Sequence, residues 1–308
     1  MDKNNRLLRI SIISIIISGL IALIAMNIST LDNPVFLLNN REIDTSEREG
    51  IYSVDENSFY LKYISNLEDK RHVVGIKFKE ASDTVFFVSE NSERNTAMFY
   101  DENNSNVVNC GRYGIHTVYI SAPDFKYEED KDEVILTEAT VEFNDGSKLD
   151  IDLGKIILFK NRNIPVAMKN NSMHSSSDGV IRESKSTFQM DEDVIIEKIE
   201  SPFMEEALNV FDFTITTIGS NENEEVNYVE GTPIKKDSII SISSTYSSRK
   251  DILEKYTIYD IKPEIFFINN YNDRYSARHY NMNNCEPYYS CDYDYCEIYK
   301  YLKARGEI

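Results

Sequence analysis

The sequence predicts a mainly β protein, with an N-terminal transmembrane helix followed by two β-sandwich domains of immunoglobulin-like type. Three observations lead to this fold class. An uncharged apolar run extends from Ile10 to Met26. The chain after it contains many short segments rich in β-branched and aromatic residues, separated by Asn, Asp, Ser and Gly. Long segments with helical periodicity are missing there, and the roughly 280 remaining residues are enough for two ordinary domains.

The apolar run is long enough to span a bilayer once. At a helical rise of about 1.5 Å per residue, the run and its apolar flanks cover roughly 26–30 Å, which is close to the thickness of the hydrocarbon core. A helix is required because every backbone N–H and C=O group must be satisfied within the segment. We therefore predict a transmembrane helix over residues 10–28, and the membrane is the first expected partner.

The charges on either side of the run predict its orientation. Lys3, Arg6 and Arg9 precede it, and five acidic residues lie between positions 32 and 49. By the positive-inside rule, residues 1–9 form a cytoplasmic stub and the bulk of the chain is extracytoplasmic. A cleaved signal peptide would share this pattern, but the end of the run lacks a good small-x-small cleavage site. The predicted localisation is the cell membrane, with a single pass.

The net charge limits the kinds of partner. The chain carries a formal charge of −19 at pH 7. Nucleic acids and anionic membrane surfaces would be repelled by such a chain at short range. We expect no nucleic-acid partner, and an acidic exterior also keeps an exported domain dispersed.

Composition divides the exported part into five segments. Residues 29–49 are predicted as a polar connector, residues 50–161 as the first β-sandwich domain, residues 162–185 as an Asn- and Ser-rich linker, and residues 186–270 as the second β-sandwich domain. Residues 271–308 form a C-terminal tail rich in Tyr and Cys.

One hairpin is predicted in detail, over residues 134–153. A three-residue loop, Asn144 to Gly146 with Gly146 in the left-handed conformation, places apolar residues on one face and charged residues on the other. The expected pairs are Val141 with Leu149, Ala139 with Ile151, Thr137 with Leu153, and Glu142 with Lys148. We expect this hairpin at one edge of a sandwich sheet that is buried on one side.

Two stretches hint at an internal repeat. Residues 52–59 and 188–195 both alternate apolar residues around an acidic turn, and residues 136–141 match residues 253–258 in pattern. Tandem duplication of one sandwich would explain these matches. Two unrelated β-sandwiches would also share alternation and acidic turns, so both interpretations remain open.

The tail holds nine tyrosines and three of the four cysteines. An even number of cysteines in an exported chain permits two disulfides, whose connectivity the sequence does not resolve. Their spacing does not match the paired C-x2-C steps of structural zinc sites, and no metal site is predicted. The possible disulfide residues are Cys110, Cys285, Cys291 and Cys296. We expect a short helix from Cys296 to Arg305, ended by Gly306.

Catalytic and metal-binding patterns are weak throughout. The stretch from Asp101 to Arg112 begins like a calcium-binding EF-hand loop, but lacks the turn glycine and the final Glu. Cys110-Gly111-Arg112, with His116 downstream, resembles the cysteine-x-arginine of cell-wall L,D-transpeptidases, although the His-Gly element of that family is absent. The spacing of the four histidines does not match that of metal ligands. These are His72, His116, His174 and His279.

These observations predict a membrane-anchored extracytoplasmic protein that binds a protein or cell-surface partner, or assembles with one, with no cofactor and no catalytic activity. An alternative role is an accessory subunit of a membrane complex such as a transporter. A hypothesis from a different class is a cysteine-dependent cell-wall enzyme that uses Cys110.

Overall fold

The computed structural model describes thirteen stretches of the chain. They are residues 10–20, 29–45, 58–90, 107–122, 125–127, 131–160, 168–177, 182–218, 223–224, 231–247, 251–280, 282–284 and 294–308.

Strands dominate these stretches, as the sequence predicts. The elements of the first half are α1 (residues 10–20), β1 (Val35–Phe36), β2 (Asn39–Asp44), β3 (Ser58–Asn66), β4 (Val73–Phe78), β5 (Phe87–Ser89), β6 (Val107–Cys110), β7 (Tyr113–Ser121), β8 (Glu133–Phe143) and β9 (Lys148–Phe159).

The second half adds more strands and three short helices. They are β10 (Met168–Ser177), β11 (Arg182–Met190), β12 (Val194–Glu200), α2 (Met204–Ala207), β13 (Phe211–Ile218), β14 (Asn223–Glu224), β15 (Pro233–Ile234), β16 (Ile239–Tyr246), α3 (Ile252–Tyr256), β17 (Ile258–Ile261), β18 (Glu264–Asn269), β19 (Arg274–Arg278), β20 (Met282–Asn283) and α4 (Tyr295–Arg305).

The N-terminal apolar run is helical over residues 10–20. The predicted cytoplasmic stub, residues 1–9, and the remainder of the predicted transmembrane segment, residues 21–28, lie outside the described stretches. Among the residues that the structure describes, no helix is both long and apolar enough to cross a membrane.

Two sheets form the first sandwich. Sheet A has the strand order β1-β3-β7-β5, with β6 also paired to β7, and sheet B has the order β20-β17-β2-β9-β8-β4. Their facing sides enclose one core, which includes Leu61, Phe78, Val118, Val141 and Leu153. The outer side of sheet A is covered as well, by α3 and α4. Coverage of both faces explains why β3 is buried at seven consecutive positions instead of alternating between buried and exposed residues.

Two further sheets form the second sandwich. Sheet C has the order β10-β11-β16-β13-β14, and sheet D has the order β15-β12-β18-β19. All pairings within them are antiparallel. Phe188, Ile240 and Ile242 of sheet C pack against Ile265 and Phe267 of sheet D. The predicted linker over residues 162–185 differs from this structure, since β10 and the start of β11 lie within it.

The predicted hairpin is confirmed at its tip. Val141 pairs with Leu149, Ala139 with Ile151 and Glu142 with Lys148, and Gly146 has a φ of 83°. The predicted pairing of Thr137 with Leu153 is wrong, because a bulge shifts the register between Leu136 and Glu138. Glu80 occupies the bulge, and it accepts a hydrogen bond from Thr137 N at 3.0 Å. The hairpin is not at an edge, since β4 and β2 flank it.

The predicted connector and the predicted domain boundaries also differ from the structure. β2, inside the predicted connector, lies in the middle of sheet B between two parallel neighbours, β17 and β9. β17 lies between β16 and β18 of the second sandwich in sequence, and β20 follows β19, yet both strands belong to sheet B of the first sandwich. The two halves of the chain are therefore interlocked instead of consecutive.

The proposed repeat is wrong at its far end. Residues 136–141 lie in strand β8, whereas residues 252–256 form helix α3 before β17 begins. Asp251 caps this helix by accepting hydrogen bonds from Leu253 N and Glu254 N. Residues 52–57, at the near end of the repeat, lie outside the described stretches.

At Gly154 the backbone of β9 leaves no room for a side chain next to β2. Its φ is +76°, and a Cβ atom at this position would lie 2.5 Å from the backbone oxygen of Asn39. Asn39 itself is buried, and its side-chain Nδ2 donates to Leu37 O and Leu153 O. Only glycine fits this contact without moving the backbone.

We predict that Gly154→Ala lowers the free energy of unfolding by about 3 kcal/mol, because it combines backbone strain with a clash against Asn39. Gly146→Ala is the matched control: its φ is +83° but nothing lies within 4 Å of the added Cβ. Gly146→Ala should lower the free energy of unfolding by only about 1 kcal/mol. Urea denaturation of the full chain in detergent compares the two, and equal losses would contradict the close approach of β2 to β9.

Candidate functional site

Cys110 lies at the end of β6 and pairs with Tyr113 across a tight turn. Its side chain is buried in the apolar cluster between sheet A and α4, which includes Ile115 and Ile298. Burial raises the pKa of the Cys110 thiol, and the nearby Asp294 carboxylate raises it further. A nucleophilic cysteine needs the opposite environment, because the thiolate is the reactive form.

The structure separates Cys110 from His116. Val108 and Cys110 point to the same side of sheet A as Tyr113 and Ile115, which belong to the outer cluster. His116 is one residue further along β7 and lies on the inner side, stacked on Tyr63 at 4.4 Å between ring centroids. Because neighbouring residues of a strand face opposite sides, Cys110 and His116 do not form the dyad that the enzyme hypothesis requires.

The tail cysteines are only partly described. Cys296 is exposed in the first turn of α4 and is not in a disulfide. Cys285 and Cys291 lie outside the described stretches, so the disulfide framework stays a prediction. The predicted tail helix is confirmed as α4, which Asp294 caps and Gly306 ends with a φ of 76°.

Residues 101–106, the first half of the calcium-like loop, lie outside the described stretches, and residues 107–112 form β6 and the start of the following turn. Within the parts of the chain that the structure describes, no group of three His, Cys, Asp or Glu side chains could hold a metal ion.

The most connected polar cluster in sheet A surrounds Glu90, immediately after β5. Glu90 Oε1 lies 2.8 Å from His116 Nδ1 and accepts a hydrogen bond from the Tyr63 hydroxyl at 2.7 Å. His116 Nε2 lies 2.9 Å from Ser65 Oγ. Glu90 Oε2 accepts a hydrogen bond from Val73 N at 2.7 Å. One carboxylate thus joins β3, β4 and β7.

This connectivity is that of a Ser–His–acid relay, with the carboxylate at Nδ1 and the hydroxyl at Nε2. Its chemistry is limited by access. Ser65 is 1 % exposed, and its hydroxyl also contacts the backbone oxygen of Asn66 at 3.1 Å. A substrate carbonyl has no route to this oxygen in the structure. We assign a structural role to the cluster. It joins sheet A to sheet B at the edge of the first sandwich where β4 lies next to β5.

A second polar cluster surrounds His279 inside the second sandwich. His279 Nδ1 lies 2.9 Å from Ser186 Oγ, and Nε2 lies 3.0 Å from Ser244 Oγ. His279 is completely buried, and burial lowers its pKa to about 4. The serines satisfy a neutral imidazole, and they lie on neighbouring strands β11 and β16.

A third cluster joins the two sandwiches. Glu42 of β2 accepts hydrogen bonds from Lys262 N at 2.9 Å and from Ser201 Oγ at 2.8 Å. Burial raises the pKa of the Glu42 carboxyl, and these hydrogen bonds oppose the rise. Burial alone would also raise the pKa of Asp260, but Lys262 and Arg41 together hold it below its usual value. The cluster therefore contains charges that compensate one another at the junction.

Sequence reasoning missed all three clusters. Ser65, Glu90 and His116 are separated by 25 and 26 positions, and they meet only because β3, β5 and β7 are neighbours in sheet A. Ser184 also belongs to the His279 cluster, since its Oγ lies 3.5 Å from His279 Nε2. The spacing of two positions between Ser184 and Ser186 in β11 places both on one face and could have indicated this cluster.

Comparison with known proteins adds little. No family model matches the chain, and no curated protein matches it. A mutant of the CFA/I adhesin CfaE from enterotoxigenic E. coli is similar with 8 % identity and a TM-score of 0.25, covering 81 % of this chain and 86 % of that chain.

Two further solved structures show a similarly low sequence identity and TM-score. A protein of unknown function from Porphyromonas gingivalis is 11 % identical, with a TM-score of 0.19 and coverage of 80 % of this chain and 97 % of that chain. The sialic acid binding region of a Streptococcus sanguinis adhesin is 10 % identical, with a TM-score of 0.17 and coverage of 80 % and 76 %. These TM-scores are too low to support a shared fold or function.

The His279 cluster predicts a specific pH dependence. The pKa of the His279 imidazole is about 4 in the folded chain, and a histidine in the unfolded chain has a pKa of about 6.5. The unfolded state therefore binds the proton first as the pH falls, and stability is lost between about pH 6.5 and pH 4. When the pH is lowered from 7 to 5, the free energy of unfolding of the wild type should fall by about 2 kcal/mol more than that of His279→Gln.

Urea denaturation at both pH values measures this difference. His72→Gln is the matched control, since His72 is exposed, and it should keep the pH dependence of the wild type. The burial of a neutral His279 would be refuted if His279→Gln and the wild type lost equal stability on acidification.

Proposed function

We propose that this chain is a membrane-tethered binding or assembly protein whose β-sandwiches lie on the outer side of the cell membrane. The tether is the apolar run from Ile10 to Met26. The observation that carries the proposal is the exposure of α1. Seven of its eleven side chains are large, apolar and 49–71 % exposed, namely Ile10, Ile12, Ile13, Ile15, Ile16, Ile17 and Leu20.

A helix that is apolar on all sides belongs in a protein core or in lipid. Apolar surface left in water costs about 25 cal/mol for each Å². The seven exposed apolar side chains of α1 form one contiguous surface of this kind. Lipid tails would cover it without any protein partner. The basic residues before the run favour the orientation with the sandwiches outside.

The sandwiches support a binding role through their rigidity. Interlocked strands, a shared apolar cluster and the hydrogen bonds of Glu42 hold the described strands of one half of the chain against those of the other. A surface that is already ordered loses less conformational entropy when it binds a partner.

A second candidate is an accessory subunit of a membrane complex. Ser11, Ser14 and Ser18 recur at intervals of three and four residues, so they lie on one face of α1. Small residues in such a stripe allow two helices to approach closely within a bilayer, and serine hydroxyls can form hydrogen bonds between helices. In this case the partner binds in the membrane instead of outside it.

We predict that the full chain sediments with membranes, resists extraction by alkaline carbonate and is released by detergent. Ile13→Lys combined with Ile16→Lys should abolish membrane retention, because each charge costs about 3 kcal/mol at the centre of a spanning helix. Ile13→Leu combined with Ile16→Leu is the matched control and should be retained.

Protease added to intact cells tests the orientation. We expect it to digest the sandwiches and leave the N-terminus protected. Release of the wild type by carbonate, or a mature chain shortened by about 25 residues, the length of a signal peptide, would contradict the proposal.

A further inference from the structure

Residues 29–32, which follow the apolar run, are held firmly against one end of sheet A. Ser29 is 5 % exposed, and its backbone oxygen accepts a hydrogen bond from the Tyr113 hydroxyl at 2.6 Å. Arg112 donates hydrogen bonds to the hydroxyls of Ser29 and Thr30. The chain is therefore already part of the sandwich at Ser29, where sequence analysis predicted a polar connector.

Leu31 is fixed in the same way. Its backbone N–H donates to Asn66 Oδ1 at 3.0 Å, and its carbonyl accepts from Asn66 Nδ2 at 2.7 Å. Asn66 is the last residue of β3 and pairs with Tyr113, the first residue of β7. One end of sheet A thus holds the start of the exported chain with side chains from two strands.

The distance from this end to the apolar run is short. Only Asn27 and Ile28 separate Met26, the last residue of the run, from Ser29. Even a fully extended chain would span no more than about 11 Å over these three steps. If the run is the membrane tether, as proposed above, this end of sheet A lies next to the bilayer surface.

The turn after β3 lies at the same end and carries an exposed apolar side chain. Leu67 is 44 % exposed, and its backbone N–H donates to Arg112 O at 2.7 Å. Arg71, further along this turn, donates to the backbone oxygen of Asp32 at 3.4 Å. Leu67 is therefore next to the residue that holds Ser29.

The charges at this end are balanced, although the whole chain carries −19. Three basic and three acidic residues lie in residues 29–32, 66–72 and 111–113, so their formal sum is zero. Arg71 and Asp69 form an ion pair at 2.8 Å. A neutral surface approaches anionic headgroups without the repulsion that the rest of the chain would experience.

We infer that this end of the first sandwich, formed by residues 29–32, 66–72 and 111–113, docks on the phospholipid bilayer, with Leu67 inserted at the headgroup level. The inference rests on the proposed tether and adds an interaction surface to it. The sandwich then stands on the membrane in a fixed orientation, instead of moving on a flexible connector.

The absence of tryptophan from the chain allows a direct test. Leu67→Trp introduces a single fluorophore at the proposed contact, and Tyr271→Trp introduces one at a turn of the second sandwich, where the native side chain is 84 % exposed. Each full-length variant is reconstituted into phosphatidylcholine and phosphatidylglycerol vesicles with and without brominated acyl chains. Indole rings prefer the membrane–water interface. Bromine atoms near the carbonyl end of the acyl chains quench an indole ring that is inserted to this depth.

We expect brominated lipid to remove roughly half of the fluorescence of Leu67→Trp, with a blue-shifted emission, and to leave Tyr271→Trp unaffected. Urea denaturation of both variants checks that the fold is retained. If the protein floats with the vesicles but Leu67→Trp is quenched no more than Tyr271→Trp, the docking surface is wrong and the tether stands. If neither variant floats with the vesicles, the tether is wrong and the docking surface fails with it.

Discussion

The parallel ladder of β17, β2 and β9 is the constraint on which the rest of the structure depends. β2 lies near the start of the first sandwich in sequence, β9 lies at its last hairpin, and β17 lies beyond most of the second sandwich. Parallel neighbours cannot be joined by a tight turn, so a longer connection is needed between them. Here the strands β10 to β16 of the second sandwich lie in the connection between β9 and β17. Sheet B is therefore complete only after most of the chain has folded, and the close contact of Gly154 with Asn39 fixes its register.

Polar groups reinforce this constraint at the junction. The side chains of Glu42 and Arg41 point to opposite faces of β2. Glu42 accepts hydrogen bonds from Lys262 N and Ser201 Oγ. Arg41 donates hydrogen bonds to Asp260 and to the backbone oxygen of Tyr60. Buried charges contribute little net stability, because desolvation offsets most of their attraction, but removing one partner leaves the other uncompensated. Apolar side chains from β9, α2, β13, β17 and β20 fill the remaining junction. The two halves of the chain can thus dock in only one arrangement.

The sequence predicted those features that depend on local pattern. The turn at Asn144 to Gly146 and the end of α4 at Gly306 require a left-handed residue, which glycine signals directly. β2 was missed because its sequence, NNREID, is polar, although the strand is largely buried between β17 and β9 in sheet B. Glu90 and His116 meet through strand pairing alone. Strand order is decided by contacts distant in sequence, and residue pattern carries little information about it.

The proposed tether would end at the buried Ser29, and the interlocked sandwiches would then have one orientation towards the membrane. The central claim is that both sandwiches form one cooperative unit. Native-state hydrogen exchange of the full chain in detergent tests it most directly. Amides of β2, β9 and β17 should exchange with the same free energy as those of β11 and β16, equal to that of global unfolding. Exchange of β11 and β16 at a lower free energy, with β2 and β9 still protected, would show two independent domains and contradict the claim.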